Sequence, residues 1–206
     1  MQDRYGGQFI VLDGPDGCGK TTQTRLLAEW LTDQGVSVVT FRDPGGTAIG
    51  EKIRQILLSP EHDAMSTSAE VLLYMAARAQ LWEEKIAPAL QDKNCVLLDR
   101  WLSSTCAYQG YAGGFGMNNV VTVATNSLKR VWPGLTLILD VDPTAGLQRL
   151  NRKFDRIEQK DIQYHRKVRE GFLRLAQEQP NFAVIDAGDD IDSVHKKIIE
   201  VIAKVA

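Results

Sequence analysis

One stretch limits what this chain can fold into more than any other: Gly14-Pro15-Asp16-Gly17-Cys18-Gly19-Lys20-Thr21. It fits the pattern GxxxxGK[ST]. It also stands where that pattern must stand, after the apolar burst Phe9-Ile10-Val11-Leu12 and ahead of a segment with helical period. The glycines let backbone N–H groups converge on phosphate oxygens at a helix N-terminus, where the helix dipole also favours anions. Lys20 is then placed to reach β- and γ-phosphates, and the Thr21 hydroxyl to face Mg²⁺. The expectation is a strand–loop–helix unit that holds a nucleoside triphosphate.

Such a unit belongs to a parallel α/β sheet, and the rest of the chain supplies one. Apolar bursts recur at Val36 to Phe41, Cys95 to Leu98, Leu135 to Leu139 and Phe182 to Ile185. They lack polar alternation, as expected of strands buried on both faces. Helical patterns fill the gaps. Leu26, Leu27, Trp30 and Leu31 form a stripe that Gly35 would close. Thr67 and Glu70 have capping-box spacing ahead of a long helix, Thr67 to Leu90, carrying Val71, Leu72, Met75 and Leu81. Asp142-Pro143 reads as N-cap and N1, and Ile191, Val194, Ile198, Val201, Ile202 and Val205 line a final helix. The pattern predicts one α/β domain over 1–206, a doubly wound, five-stranded parallel sheet of the P-loop type. Ligands of such sheets lie beyond the carboxyl ends of the strands.

Charge narrows the partners. Lys and Arg number 24 against 26 Asp and Glu, a net charge of −2. No general basic field is present to hold nucleic acid, so a bound anion must be met by a local cluster. Cys18, Cys95 and Cys106 form no CxxC pair and no Cys/His metal spacing. Met1 to Gly7 shows no leader pattern, and no apolar run approaches the roughly 20 residues that span a bilayer. These features predict a cytoplasmic protein with no membrane partner.

Each strand end carries a distinctive run. Arg42-Asp43-Pro44-Gly45-Gly46-Thr47 puts an arginine opposite the P-loop, where it can clamp a second phosphate. Tyr74 and Arg78 share one helix face at i and i+4, a plane and a donor suited to a base, although amphipathic helices produce such pairs routinely. Asp99-Arg100 ends the next strand, where a Mg²⁺-holding carboxylate belongs. Arg149, Arg152, Lys153 and Arg156 crowd into eight residues. A segment at about 149–160 can then close over a triphosphate as a lid. Two anion-holding ends and a basic lid describe a nucleoside monophosphate kinase. No NKxD guanine signature occurs, and the loop is not of the protein-kinase form. A kinase for another monophosphate, or an inactive ATP-binding module, stays open at this point.

In these residues the chain resembles the thymidylate (dTMP) kinases, nearly end to end and most closely the bacterial members. The shared marks are the P-loop with Asp16, Arg42 to Thr47, Tyr74 with Arg78, Asp99-Arg100, Ala107-Tyr108-Gln109-Gly110 and Asp155-Arg156-Ile157-Glu158. The resemblance implies ATP-dependent phosphorylation of dTMP to dTDP with Mg²⁺, and a homodimer formed through helices on one sheet face. It implies that Arg42 and Arg100 hold the dTMP phosphate, Tyr74 stacks on thymine and Arg78 donates to O4. Tyr108 would lie under the sugar, Thr105 and Gln109 would line the base and sugar side, and Asp16 would sit near the 3′-hydroxyl and the metal held by Thr21 and Asp99. Gly14 to Thr21 would bind ATP. Gly17 stands where some members carry a catalytic arginine, so the resemblance assigns that role to lid residues Arg149, Arg152 and Arg156, alongside Lys20 and Asp99. The chain departs from the usual pattern at Asp43, where glutamate is usual, at Trp101 and in its short lid. It departs again at Cys18, which has two readings: a thiol whose pKa is lowered beside Lys20 at a helix N-terminus, or a small residue that fills the loop.

Overall fold

The P-loop strand lies at the middle of the sheet. In the computed structural model, which describes residues 1–205, the strands are β1 (Phe9–Asp13), β2 (Val38–Arg42), β3 (Cys95–Asp99), β4 (Leu135–Asp140) and β5 (Phe182–Asp186). They pair in parallel in the order β2-β3-β1-β4-β5. Every residue of β1 and β3 is buried, as their unbroken apolar runs require. The register sets Leu12 beside Asp99 and Arg42 beside Asp99 on its other side. Three sequence-distant groups therefore meet at one carboxyl edge.

A short helix α1 (Gln2–Tyr5) precedes β1. The helices that follow are α2 (Lys20–Asp33), α3 (Ala48–Leu58), α4 (Thr67–Leu81), α5 (Ala87–Gln91), α6 (Leu102–Thr105), α7 (Met117–Ser127), α8 (Pro143–Gln148), α9 (Ile162–Glu178) and α10 (Ile191–Val205). One face of the sheet packs Leu27 and Leu31 of α2 with Val194, Ile198 and Ile202 of α10. The other packs Val71, Met75 and Leu81 of α4 with Val120 and Ala124 of α7, around Phe9, Val11 and Trp101. A third cluster joins α9 to Tyr108. The side chain of Val205 lies outside the described residues.

Three sequence expectations shift. β2 starts at Val38, not Val36, because Val36 ends α2: Gly35 N–H donates to Thr32 O, and Val36 N–H to Leu31 O. That is a Schellman closure with Gly35 at φ +77°. The cap of α4 is Ser66, whose Oγ accepts from Ala69 N, so Thr67 is already inside the helix and Glu70 is no capping partner. Nor is 67–90 one α-helix: Trp82–Ile86 widens to a π-turn before α5, with Pro88 unable to donate to the preceding turn. A second π stretch, Cys106–Ala112, continues α6. Asp142 does cap α8, accepting from Thr144 N and Ala145 N, with Pro143 in its first turn.

Candidate active site

The carboxyl edge of β1 and β3 opens into a cleft of about 890 Å³. Its floor is the P-loop. Lys20 folds back over that loop, its Nζ donating to Gly14 O at 3.0 Å and Pro15 O at 2.7 Å. Thr21 Oγ1 donates to Asp99 Oδ2 at 2.7 Å across the strand ends. These two oxygen-bearing groups are the hard donors that Mg²⁺ prefers, and Mg²⁺ commonly completes its shell with substrate phosphates and water. They fit the ion. Among the described residues no group of three or more His, Cys, Asp or Glu gathers as a metal site of its own.

Asp16 is differently placed from Asp99. Its Oδ1 is paired with Arg100 Nη2, and its Oδ2 accepts from Tyr108 OH at 2.7 Å. Burial pushes its carboxyl up, but Arg100, Lys20 and the Tyr108 hydroxyl outweigh that and hold it below the usual carboxylate range. Burial pushes the Tyr108 hydroxyl well above its ordinary value, which keeps it a proton donor to Asp16. Arg100 also donates to Gly14 O at 3.1 Å and Ser104 Oγ at 2.9 Å, and its guanidinium lies 5.3 Å from the Tyr108 ring centroid. Its backbone sits at φ +69°, a strained conformation at the strand end.

Opposite the P-loop stand Arg42, half-exposed and 3.5 Å from Glu51, and Arg54. Sequence reading missed Arg54. It lies three residues beyond Glu51, which binds Gly46 N, so helical spacing puts both on the face turned to the loop. Asp13 was missed too. Fully buried, it accepts from Gly14 N, Ser103 Oγ and Ser104 Oγ, tying the P-loop to the segment after β3.

A side chamber of about 60 Å³ opens off this wall, between Tyr74, Arg78, Tyr108, Gln109 and Asp155. Its Asp16, Arg54, Arg100 and Asp155 also line the large cleft, so the two communicate. Arg78 is fully buried. Its Nε donates to Asp43 Oδ2 at 2.7 Å and its Nη2 to Trp101 O and Thr105 Oγ1. Asp43 therefore reaches Arg78 despite being a methylene shorter than glutamate. Trp101 lies under the same guanidinium, 5.2 Å from its ring centroid. Thr105 is behind Arg78, and Ser104, not Thr105, borders the chamber.

The basic run does not form one patch. Arg149 donates to Ala187 O and Gly188 O in the loop after β5, and Arg152 makes a two-pronged pair with Glu158; both border the large cleft. Arg156 does not. It is buried, with Nε on Leu57 O at 2.8 Å and Nη2 3.1 Å from Glu70 Oε2, because a carboxylate and a carbonyl await it between α3 and α4. Of the two readings of Cys18, the structure favours the small filler over the reactive thiol. Cys18 is only 2% exposed, and burial raises its thiol above the ordinary value of 9.0 in spite of Lys20 and Arg100.

Comparison with known proteins gives one family throughout. The family model described as Thymidylate kinase matches residues 12–198. The thymidylate kinase of Thermoanaerobacter sp. (strain X514) is 44% identical over 200 residues, covering 96% of this chain and 98% of that one. That of Caldanaerobacter subterraneus subsp. tengcongensis is 43% identical over 198 residues, 95% of each. The crystal structure of thymidylate kinase from Ehrlichia chaffeensis superposes with a TM-score of 0.79 at 33% identity, over 96% of this chain and 99% of that one.

Proposed function

The chain belongs to the thymidylate kinase family, and from that premise we propose that it transfers the γ-phosphoryl group of ATP to dTMP, releasing ADP and dTDP. One observation carries the reading of the site. Two anion-holding groups, the P-loop and the Arg42, Arg54 and Arg100 wall, face one cleft from which the side chamber departs.

The acceptor phosphate is already an oxyanion, so no strong base is needed and catalysis is alignment plus charge stabilisation. Backbone amides of the P-loop hold the donor phosphates, and Lys20 exchanges its loop carbonyls for phosphate oxygens. Arg42, Arg54 and Arg100 hold the dTMP phosphate in line. Arg149 and Arg152 border the donor side and neutralise the moving group, with residues 149–160 as the lid that excludes water. Thr21 and Asp99 would hold Mg²⁺, which would supply charge screening to the phosphates. Both oxygens of Asp16 are engaged, so it acts by fixing Arg100 and Tyr108. Tyr74 stacks on thymine. Arg78 offers Nη1 to O4: its other nitrogens are tied to oxygens of the protein, whereas Nη1 meets only the weak acceptor Met75 Sδ at 3.5 Å. Tyr108 fills the space beside C2′.

Ile49, Ile56 and Leu72 are exposed on the packed helices α3 and α4, which supports a homodimer through that face. No helix among the described residues is long and apolar enough to cross a membrane, and we place the enzyme in the cytoplasm. The test is ADP formation from ATP and Mg²⁺ with and without dTMP. Release that depends on dTMP and yields dTDP supports the proposal. Hydrolysis indifferent to dTMP opposes it.

A further inference from the structure

Glu70 divides its carboxylate between two distant parts of the chain. Oε1 accepts from Gln109 Nε2 at 2.5 Å, on the π stretch that walls the chamber, while Oε2 pairs with Arg156 in the 149–160 segment at 3.1 Å. All three side chains are buried, at 5%, 2% and 6% exposure. Glu70, Tyr74 and Arg78 follow one another at i, i+4 and i+8 of α4, so one helix face carries them all.

Chemistry then fixes the Gln109 amide. A carboxylate can only accept, so the NH₂ end must face Glu70 and the oxygen must face away. That oxygen takes no donor from the described residues, and Gln109 borders the chamber beside Tyr74 and Arg78. Thymine and uracil offer an N–H at ring position 3, whereas cytosine offers a bare acceptor nitrogen there. An amide oxygen accepts from the first and repels the second.

We propose that Glu70 is a positioning residue for base selection: it locks the Gln109 amide so that its oxygen reads ring position 3, and Arg156, holding the other oxygen of the same carboxylate, ties that reading to a seated lid. Arg156 is itself anchored at Leu57 O and, through its backbone N–H, at Leu58 O. The inference rests on the reading of the chamber as the thymine pocket.

The test is the ratio of kcat/KM for dTMP to that for dCMP. Glu70→Gln keeps the shape but can donate as well as accept, so the Gln109 amide is free to turn over. The ratio should fall about tenfold or more, through the acceptor KM values, with the ATP KM within about twofold. A merely structural role would weaken both acceptors alike and leave the ratio standing. The paired variant Glu70→Gln/Arg156→Met leaves no buried charge unmatched, and it should lose selectivity equally if the single variant folds poorly. Arg156→Met alone should lower the ratio less than Glu70→Gln does, and Arg156→Lys should restore it. An unchanged ratio in the Glu70 variants overturns the inference while the dTMP activity of the wild type stands. An unchanged ratio in Arg156→Met overturns the link to the lid. A wild type that ignores dTMP overturns the thymidylate reading and this inference with it.

Discussion

Asp16 keeps its charge because Arg100, Lys20 and Tyr108 surround it. Its folded-state pKa is below the ordinary 3.8, so the stability it contributes is complete above 3.8 and is lost as pH falls through the lowered value. Asp16→Asn should therefore be less stable than the wild type at neutral pH, and the gap should close in acid; denaturant titrations at pH 7 and below pH 3.8 check this. Asp43 and Arg78 are matched inside the core. Removing either charge alone should cost about 3–5 kcal/mol, and the double variant Asp43→Asn/Arg78→Met should cost clearly less than the sum. Arg42 is the opposite case. It is half-exposed, so Arg42→Ala should change stability by less than about 1 kcal/mol while raising the dTMP KM at least tenfold and leaving the ATP KM near normal. An ATP KM that rises instead would mean the two phosphate ends are reversed. Cys18 should resist alkylation at pH 8 until the protein is unfolded, since both burial and its raised pKa suppress the thiolate. Such buried neighbours explain which residue roles were legible in the chain. That Arg42 and Arg100 border the cleft followed from strand ends, whereas Tyr108 was picked out only by the family resemblance. The burial of Arg156 did not, because nothing near it in sequence announces Glu70 or the carbonyl of Leu57.

Between elements, α8 approaches the P-loop so closely that neither side has room for a side chain. A Cβ at Gly17 would run into the Gly146 carbonyl, and one at Gly146 into the carbonyl of Asp16. Backbone thus packs on backbone, and an arginine at position 17 would have to displace α8. That is a physical reason for this chain to gather its extra positive charge at residues 149–156. Gly146→Ala should weaken ATP binding about tenfold or more by prising the two apart, whereas Asp142→Ala, which removes only the α8 cap, should cost about 1 kcal/mol of stability. Binding calorimetry and thermal denaturation read the two effects separately. At this scale the strands, the P-loop helix and the α8 cap were readable from apolar runs and cap chemistry. The π stretches were not, because helical periodicity looks the same up to the bulge, and only the first has a local mark in Pro88 just beyond it.

As a whole, the molecule brings a donor site at the middle of the sheet and an acceptor wall at its β2 side to one edge. The side chamber, at about 60 Å³, is far smaller than the cleft it adjoins. If α3 and α4 form the subunit interface, Leu72→Asp should convert a dimer to a monomer in sedimentation equilibrium; a wild type that sediments as a monomer would remove that part of the account. The fold and its edge were legible because parallel sheets put ligands at strand ends. The closed chamber was not, because it depends on how a short basic segment settles against two helices. The central claim, that this edge selects and phosphorylates dTMP, is tested most directly by kcat/KM for dTMP, dUMP, dCMP, dGMP, AMP, UMP and CMP with ATP and Mg²⁺. The account predicts dTMP first, dUMP behind it by the modest margin of one methyl group, and dCMP lower by roughly 5- to 150-fold. A different monophosphate in first place, or dCMP equal to dTMP, would contradict it.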